Sequence, residues 1–399
     1  MLEQKPLQGI RVLDVSRVLA GPYCTMNLAD LGAEVIKIEL PGHGDDARRF
    51  PPMIPNSTDS AYFYGINRGK VSVTLDLRSP QGADIFFELA ALSDIVVENF
   101  SPGTMARFGL GYDQLRARNP GLILCSISGF GQSGPMASEP AYDIVAQALG
   151  GTMSVTGMDG GEPTRCGLSI GDMVAALYGA VAILAALRVR ERTGLGQHLD
   201  IAMLDCQVAM LEGALGTYSA TGTIPGRIGS RHPSITPFQQ FPAADDYFVV
   251  GVGNEALWQR FCDALSLEHL KSDPRFADNH SRTRNHAHLD PLLREYFLTQ
   301  PRAHWLDLLG KAGVPCAPVS NVAEVARNPQ LRERKMVLPA EHPTYKDLLV
   351  PGSPLKSAGD DRPPPTRAPA LGEHTEAVLQ DLLGYDQARM ADLRARGII

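Results

Sequence analysis

Hydrophobic positions in the first half of the chain form short runs that alternate with helical patterns. The apolar runs are rich in β-branched residues, as buried strands are, and lie at 9–16, 33–39, 71–77, 94–100 and 122–128. Between them, apolar side chains recur at helical spacing over 20–32, 79–93 and 112–119. Strands that alternate with helices and are apolar throughout predict a parallel sheet covered on both faces. The pattern therefore predicts an α/β fold.

The pattern changes along the second half of the chain. One helix is predicted from Tyr142 to Gly151, and a long one opens at Asp172 and runs to about Arg192. Past residue 205 the alternation weakens, and the Gly-, Ser- and Pro-rich stretch 221–237 indicates a linker into a second unit. A Pro-rich, poorly periodic stretch follows residue 335, and a helical pattern closes the chain.

Composition narrows the range of functions. The chain has 399 residues and a formal net charge of -7, so no basic surface favours nucleic acid. The six cysteines stand singly and the histidines lack ligand spacing, so no metal site is expected. We find neither a secretory leader nor a long uninterrupted apolar run, and therefore expect a cytoplasmic protein outside the membrane.

The stretch GFGQSG at 129–134 matches the dinucleotide-binding pattern G-x-G-x-x-G and follows a predicted strand. A nicotinamide dehydrogenase is therefore one alternative. Such a motif should open directly into a helix, but Pro135 and Pro140 interrupt the chain here. Met153 stands where an acid would bind the ribose. We interpret the stretch as a glycine-rich turn.

Asp172 has two interpretations. As a helix cap, its carboxylate would accept backbone N–H bonds at the start of the long helix. A cap does not explain the small residues Ala175, Ala176 and Gly179, which allow close approach to this helix. Those residues suit a carboxylate presented in a cleft, where it could attack a thioester. The turn VGVGNE at 250–255 could close over such a site or simply end a strand.

An ordered series of stretches resembles the class III CoA-transferases. It reads LDVSRVLAGPYCTMNLADLGAEVIKIE, NRGKVSVTLDLRSPQG, VVENFSPGTMARFGLGY, SISGFGQSGP, YDIVAQALGG and TGLGQHLDIAML, and continues with GVPCAPV, NPQLRERKMV and LGEHTEAVL. The series covers nearly the whole chain, and its order makes it specific. The resemblance implies an enzyme that transfers CoA between carboxylic acids, with coenzyme A as a substrate thioester and no permanently bound cofactor.

The resemblance also assigns residues. It places the nucleophile at Asp172, which would form an aspartyl anhydride and then an aspartyl-CoA thioester. It places the CoA contacts at Leu19, Ala20, Leu75, Arg78, Asn99, Phe100, Arg107, Tyr142 and Asp143. A family glycine loop falls on Gly251, Gly253 and Asn254.

The implied architecture is a Rossmann-like large domain and a smaller α+β domain, in two chains that interlock as a homodimer. We predict a large CoA-binding domain at 1–205, a linker at 206–230 and a small domain at 231–330. A return linker at 331–375 and a C-terminal helix at 376–399, packed on the large domain, would complete the chain.

The substrates are predicted from residues 230–254, which resemble the branch that uses succinyl-CoA with C4 to C6 dicarboxylates such as glutarate, itaconate or mesaconate. Arg231 and His232 either bind the distal carboxylate or are simply polar linker residues. Leu19 replaces a glutamine of formyl-CoA transferase, so oxalate and formate are not expected.

Two alternatives to the transferase remain. An α-methylacyl-CoA racemase would need Tyr142 as its base, and a tyrosine pKa of ~10 makes a poor base at neutral pH. A noncatalytic CoA-binding protein would bind CoA without any turnover that depends on Asp172.

Overall fold

A six-stranded parallel sheet forms the centre of the first of two units. The computed structural model describes residues 5–357 and 363–399. The strands are β1 Arg11–Asp14, β2 Glu34–Glu39, β3 Lys70–Thr74, β4 Ile95–Glu98, β5 Ile123–Ser128 and β6 His198–Ala202. Their order is β3-β2-β1-β4-β5-β6, and every neighbouring pair is parallel. This confirms the predicted α/β fold.

Nineteen helices are present in the described residues. They are α1 Ala20–Asp30, α2 Ala61–Ile66, α3 Pro80–Ala91, α4 Thr104–Arg107, α5 Tyr112–Arg118, α6 Asp143–Leu149, α7 Thr152–Val155, α8 Ile170–Thr193, α9 Met203–Ala209, α10 Ala214–Thr221, α11 Glu255–Ala264, α12 His269–Ser272, α13 Asn279–Arg284, α14 His286–Phe297, α15 Arg302–Lys311, α16 Val322–Arg327, α17 Pro329–Glu333, α18 Thr375–Leu383 and α19 Gln387–Ala395. A 3-10 turn spans Asp46–Arg49.

Alternate residues of each strand point to opposite faces of the sheet, and each face is covered by helices. Leu13 belongs to a buried cluster with α3, α5, α18 and α19. Its neighbour Val12 belongs to the opposite cluster, with α1 and α8. Burial on both faces explains why these strands are apolar throughout.

The second unit comprises Met153–Thr164 and Ala214–Arg327, and the first comprises the remainder of the described chain. The antiparallel sheet of the second unit has the order β7-β8-β9, with β7 Phe238–Pro242, β8 Tyr247–Gly251 and β9 Cys316–Pro318. An aromatic core that includes Trp258, Phe297 and Trp305 fills it. Two further strands, β10 Val337–Pro339 and β11 Leu349–Pro351, pair in the first unit.

The structure differs in places from the segments predicted from the sequence. Helix α10 and the second half of α9 lie within 206–230, where a linker was expected. Strands β10 and β11 lie within the expected return linker, of which 358–362 fall outside the described residues. The expected single C-terminal helix is two helices, because Gly384 adopts a left-handed φ of 69° that ends α18.

Helix α8 is the longest described helix and packs on α1 and the sheet. By length and composition alone it could cross a membrane. A core helix passes the same test, and Ala175, Ala176 and Ile183 of α8 are fully buried inside the first unit. Its small residues allow close packing on α1 and the sheet, and do not line a cleft as was inferred from the sequence.

Candidate active site

Asp172 lies in the first turn of α8 but does not cap it. We predicted that Asp172 opens the helix; instead α8 begins at Ile170, two residues earlier. The cap-like hydrogen bond comes from another helix, because Oδ1 of Asp143 in α6 accepts the Gly171 N–H at 2.8 Å. The side chain of Asp172 is therefore not needed to cap the helix. The cap interpretation of Asp172 was wrong.

The carboxylate of Asp172 lines an open cavity of about 820 Å³ within the first unit, which we call the aspartate cavity. Its wall also includes Val18, Arg49, Tyr62, Tyr142, Asp143 and Arg165. Val18 follows β1, next to the point where the strand order reverses between β1 and β4. Ligands of open α/β sheets bind at the carboxyl ends of the strands beside such a reversal.

The environment of Asp172 favours its protonated form. Burial, followed by the negative charge of Asp143, raises the pKa of Asp172 to about 7. Among the described residues, no cation forms an ion pair with Asp172 and no donor binds its side chain. Near pH 7 a large fraction of Asp172 is still ionised. A carboxylate of raised pKa is more basic and hence a better nucleophile than an ordinary one.

Asp143 fixes the segment that leads into α8. Its Oδ2 accepts a hydrogen bond from Gln147 Nε2 at 2.7 Å and lies 3.5 Å from Arg165 Nη2. Gln147 Oε1 in turn accepts the Cys166 N–H at 2.9 Å. A Cβ on Gly171 would lie 3.0 Å from Asp143 Oδ1, so glycine lets the helix end approach this carboxylate. This close approach explains the glycine directly before Asp172.

A second cavity, of about 350 Å³, lies at the carboxyl ends of β1, β2 and β3. We call it the strand-end cavity. Three of the predicted CoA contacts line it, namely Leu75, Arg78 and Phe100. Asp46 lines both this cavity and the aspartate cavity, so the two are adjacent within the first unit.

The remaining predicted CoA contacts lie in different surroundings. Leu19 and Ala20 are buried at the start of α1, with 7% and 3% of their surface exposed. Both amide atoms of Asn99 bind the backbone of Arg17, at 2.8 Å each. Arg107 is exposed and donates to Thr104 Oγ1 at 2.6 Å. The structure thus gives Asn99 a role in holding the loop after β1.

Tyr142 and Asp143 are neighbours in the chain but differ in exposure. Tyr142 is the N-cap residue of α6 and is 80% exposed, whereas Asp143 is buried. Both line the aspartate cavity.

The predicted glycine loop and carboxylate-binding pair belong to the second unit. Gly251 ends β8, Gly253 follows it, and the Asn254 side chain caps α11 by accepting the Leu257 N–H at 2.9 Å. Arg231 and His232 lie in the turn before β7, where His232 Nδ1 accepts the Ser234 N–H at 3.1 Å. The roles predicted for these residues remain predictions.

The stretch GFGQSG has the geometry of a turn. Strand β5 ends at Ser128 and the next helix, α6, starts at Asp143, so the glycines do not open a helix. The Asp200 carboxylate accepts the Gln132 N–H at 2.9 Å. A carboxylate in this position would repel a pyrophosphate. In the part of the chain that the structure describes, no three acidic, His or Cys residues are grouped as metal ligands.

Among the residues of the aspartate cavity that sequence reasoning did not assign to the site are Tyr62, Arg165 and Arg49. Burial, with the charge of Asp172 second, raises the pKa of Tyr62 to about 12, so it stays a neutral hydrogen-bond donor. Arg165 stands seven positions before Asp172, and a cation so near the proposed nucleophile was a usable signal. Tyr62 gave no such signal, because only the fold brings it close.

Comparison with known proteins agrees with this geometry. Residues 7–375 match the family described as CoA-transferase family III. The acetyl-CoA:oxalate CoA-transferase of Acetobacter aceti is 43% identical over 94% of this chain and 95% of its own. The human succinyl-CoA:glutarate CoA-transferase is 39% identical over 99% of this chain and 90% of its own.

A solved structure supports the same assignment. The crystal structure of a CAIB/BAIF family protein from Brucella suis superposes with a TM-score of 0.86, at 38% identity, and covers 95% of this chain and 100% of its own. The match thus extends over the sheet, the aspartate cavity and the second unit. The chain therefore belongs to CoA-transferase family III and is an enzyme of that family.

Proposed function

We propose that this enzyme moves CoA from succinyl-CoA to a small dicarboxylic acid through covalent intermediates on Asp172. The observation that carries the proposal is the Asp172 carboxylate itself, which lines an open cavity, has no partner cation in the described part of the chain and has its pKa raised to about 7. Structural carboxylates in protein interiors are normally paired. An unpaired one in a cavity is a candidate nucleophile.

The proposed reaction has four acyl transfers. An Asp172 oxygen attacks the thioester carbonyl, the C–S bond breaks, and CoA thiolate leaves behind a mixed anhydride. The thiolate then attacks the aspartyl carbon of the anhydride, which releases succinate and leaves an aspartyl-CoA thioester. The acceptor carboxylate displaces CoA to form a second anhydride. CoA thiolate finally attacks the acceptor's acyl carbon, which frees the product thioester and the Asp172 carboxylate.

The two adjacent cavities suit the two ends of an acyl-CoA. We place the nucleotide end in the strand-end cavity, where Phe100 offers an aromatic face and the exposed side chains of Arg78 and Arg17 would have to exchange Asp76 and Asp46 for the phosphates. The thioester would then reach Asp172 past Asp46, which lines both cavities.

The acceptor's distal carboxylate would bind Arg165. This guanidinium lines the aspartate cavity, and within the described residues its one ion pair, to Asp143, is long at 3.5 Å. It can therefore still bind a carboxylate with two parallel hydrogen bonds. Glutarate, itaconate and mesaconate are the expected acceptors. Oxalate belongs in the same test because one relative is named for it, although Leu19 argued against it.

We also propose that the enzyme works in the cytoplasm as an interlocked homodimer. Support comes from α8, where Leu177, Tyr178, Val181 and Leu184 are 38–62% exposed in the single chain. A row of exposed apolar side chains on one helix is typical of a surface covered by another chain. Light scattering in solution should give the mass of two chains.

Mass spectrometry tests the covalent route. Mixing the enzyme with succinyl-CoA and trapping with hydroxylamine should modify Asp172, and the variant Asp172→Ala should show no modification and lose at least about a thousandfold in turnover. Asp143→Asn serves as a control that keeps the nucleophile. No trapped adduct with any of a panel of acyl-CoAs would overturn the proposal. Solvent deuterium incorporation without acid exchange would instead support a racemase.

A further inference from the structure

The loop at residues 15–19, which we call the β1 loop, is held by side chains from three other positions. Three consecutive backbone N–H groups donate to them. Ser16 N–H donates to Asp14 Oδ1 at 3.0 Å, and Arg17 N–H donates to Asn99 Oδ1 at 2.8 Å. Val18 N–H donates to both oxygens of Asp45, at 3.0 and 3.2 Å. Such dense anchoring by side chains implies that this backbone would otherwise adopt another conformation.

The backbone of Val18 is strained, and the anchoring side chains hold it in that conformation. Its φ is +67°, in the left-handed region, which a β-branched residue rarely adopts. Val18 also lines the aspartate cavity together with Asp172. Strained backbone persists only where its surroundings hold it, and it concentrates at functional sites.

Asp45 is the anchor of the strained residue, and Lys37 holds Asp45. The two side chains are buried, at 1% and 0% exposure, and Lys37 Nζ lies 2.9 Å from Asp45 Oδ2. Lys37 Nζ also donates to the Ser16 carbonyl at 2.8 Å, so it binds the loop directly. Asp45 Oδ1 additionally accepts the Ala47 N–H at 2.9 Å. The pair thus fixes both the start and the turning point of the β1 loop.

We infer that Asp45, held by Lys37, is a positioning residue for CoA transfer, because it keeps Val18 in the left-handed conformation that shapes the wall of the aspartate cavity. The inference rests on the proposed function. Without the Asp45 anchor, Val18 relaxes to a negative φ, the Arg17–Val18 peptide turns, and the wall facing Asp172 changes shape. The thioester would then bind with its carbonyl carbon displaced from the Asp172 oxygen.

A double-mutant cycle tests this inference. The variants are Asp45→Asn, Val18→Gly and the two combined, and the readout is the single-turnover rate of adduct formation at Asp172 with saturating succinyl-CoA. Asp45→Asn should slow adduct formation about tenfold or more, which corresponds to the cost of a left-handed valine. Glycine adopts this φ without penalty, so adding Val18→Gly should restore most of the rate.

A merely structural role predicts a different pattern. Two substitutions that only loosen the fold would have additive effects, and the double variant would be slower than Asp45→Asn alone. That result, or a wild-type rate in Asp45→Asn, would overturn the inference. If Asp45→Asn does not fold, the same cycle is run with Lys37→Gln, which keeps a donor for the Ser16 carbonyl. A wild-type enzyme that forms no adduct would instead refute the proposed function.

Discussion

The carboxyl groups inside the first unit differ in the direction in which their pKa is shifted. Asp14 and Asp45 lie beside lysines: Lys70 Nζ is 2.8 Å from Asp14, and Lys37 Nζ is 2.9 Å from Asp45. Burial alone would raise the pKa of each, but these lysines lower it below the ordinary range. Asp172 is less buried and has no ion pair among the described residues, and its pKa rises to about 7. For these three acids the lysine decides the direction of the shift, whereas burial still raises the pKa of Asp30 beside Arg68, 2.6 Å away.

The contrast distinguishes Asp172 from the lysine-paired acids Asp14 and Asp45. The paired carboxylates stay ionised, and they bind the β1 loop and its neighbours through charge-assisted hydrogen bonds. Asp172 has lone pairs that no described donor occupies, so they are available for a thioester carbonyl. A single cation placed beside Asp172 would stabilise the carboxylate and weaken it as a nucleophile.

The largest expected effect is on the free energy of unfolding, and it comes from removing the lysine that pairs with Asp14. Lys70→Met leaves Asp14 charged and unpaired in a fully buried position and also removes hydrogen bonds to Pro22 and Asn67. We expect the free energy of unfolding in urea to fall by about 3–5 kcal/mol, as for other broken buried ion pairs. Measurement by denaturant titration gives the value.

The matched control for this change is Lys311→Met. Lys311 pairs with Asp307 at 2.6 Å, but both side chains are mostly exposed, at 76% and 64%. The loss there should be no more than about 0.5 kcal/mol. Equal losses for the two variants would show that the buried pair has no special structural role.

The next effect concerns Arg165, a cation in the wall of the aspartate cavity. Arg165→Gln should raise the KM for a dicarboxylic acceptor about tenfold and leave the KM for succinyl-CoA nearly unchanged, since only the acceptor's distal carboxylate would bind there. Steady-state kinetics with glutarate, and with a monocarboxylic acid of equal length as comparison, measures the difference. Arg188→Gln, at an exposed arginine paired with Glu191, is the control. An equal rise in the KM for glutarate and for the monocarboxylic acid would exclude Arg165 as the site that binds the distal carboxylate.

The ion pairs that distinguish Asp14 and Asp45 from Asp172 could not be predicted from the sequence. Alternating apolar runs predicted the parallel sheet correctly, because burial on both faces leaves a strong local pattern. The partner of Asp14 is 56 positions away in the chain, and no periodicity links it to Lys70. Such pairs form only when strands become neighbours in the sheet.

The site itself was partly predictable. The family resemblance pointed to Asp172, which lines the aspartate cavity, but the small residues after it pack in the core and the start of α8 was misplaced by two residues. The reason is that its cap is the side chain of Asp143, which belongs to a different helix. The positions and exposure of the residues predicted to contact CoA likewise depend on which loops lie side by side in the fold. The local sequence does not determine that arrangement.

A smaller effect tests the cause of the raised pKa. Adduct formation requires the Asp172 carboxylate, so its rate should rise with pH and reach half of its maximum near pH 7. Asp143→Asn removes the neighbouring negative charge while keeping an acceptor for the Gly171 N–H, and should move this rise to lower pH. Burial is the larger cause, so the midpoint should stay above the ordinary carboxyl range. An unchanged midpoint would exclude Asp143 as a contributor.

The smallest effect is a gain in stability on removing the nucleophile. The pKa of Asp172 is about 7 in the folded enzyme against 3.8 without the fold, so between these values the folded state binds the proton more tightly. Stability is therefore lost as pH rises through this window, and the loss is complete above pH 7. Asp172→Asn removes that loss and should raise the melting temperature by about 2–5 °C at pH 8 but by much less at pH 5. Asp307→Asn, at an exposed acid, should show no such pH dependence. Equal gains for Asp172→Asn at both pH values would show that ionisation of Asp172 is not the cause.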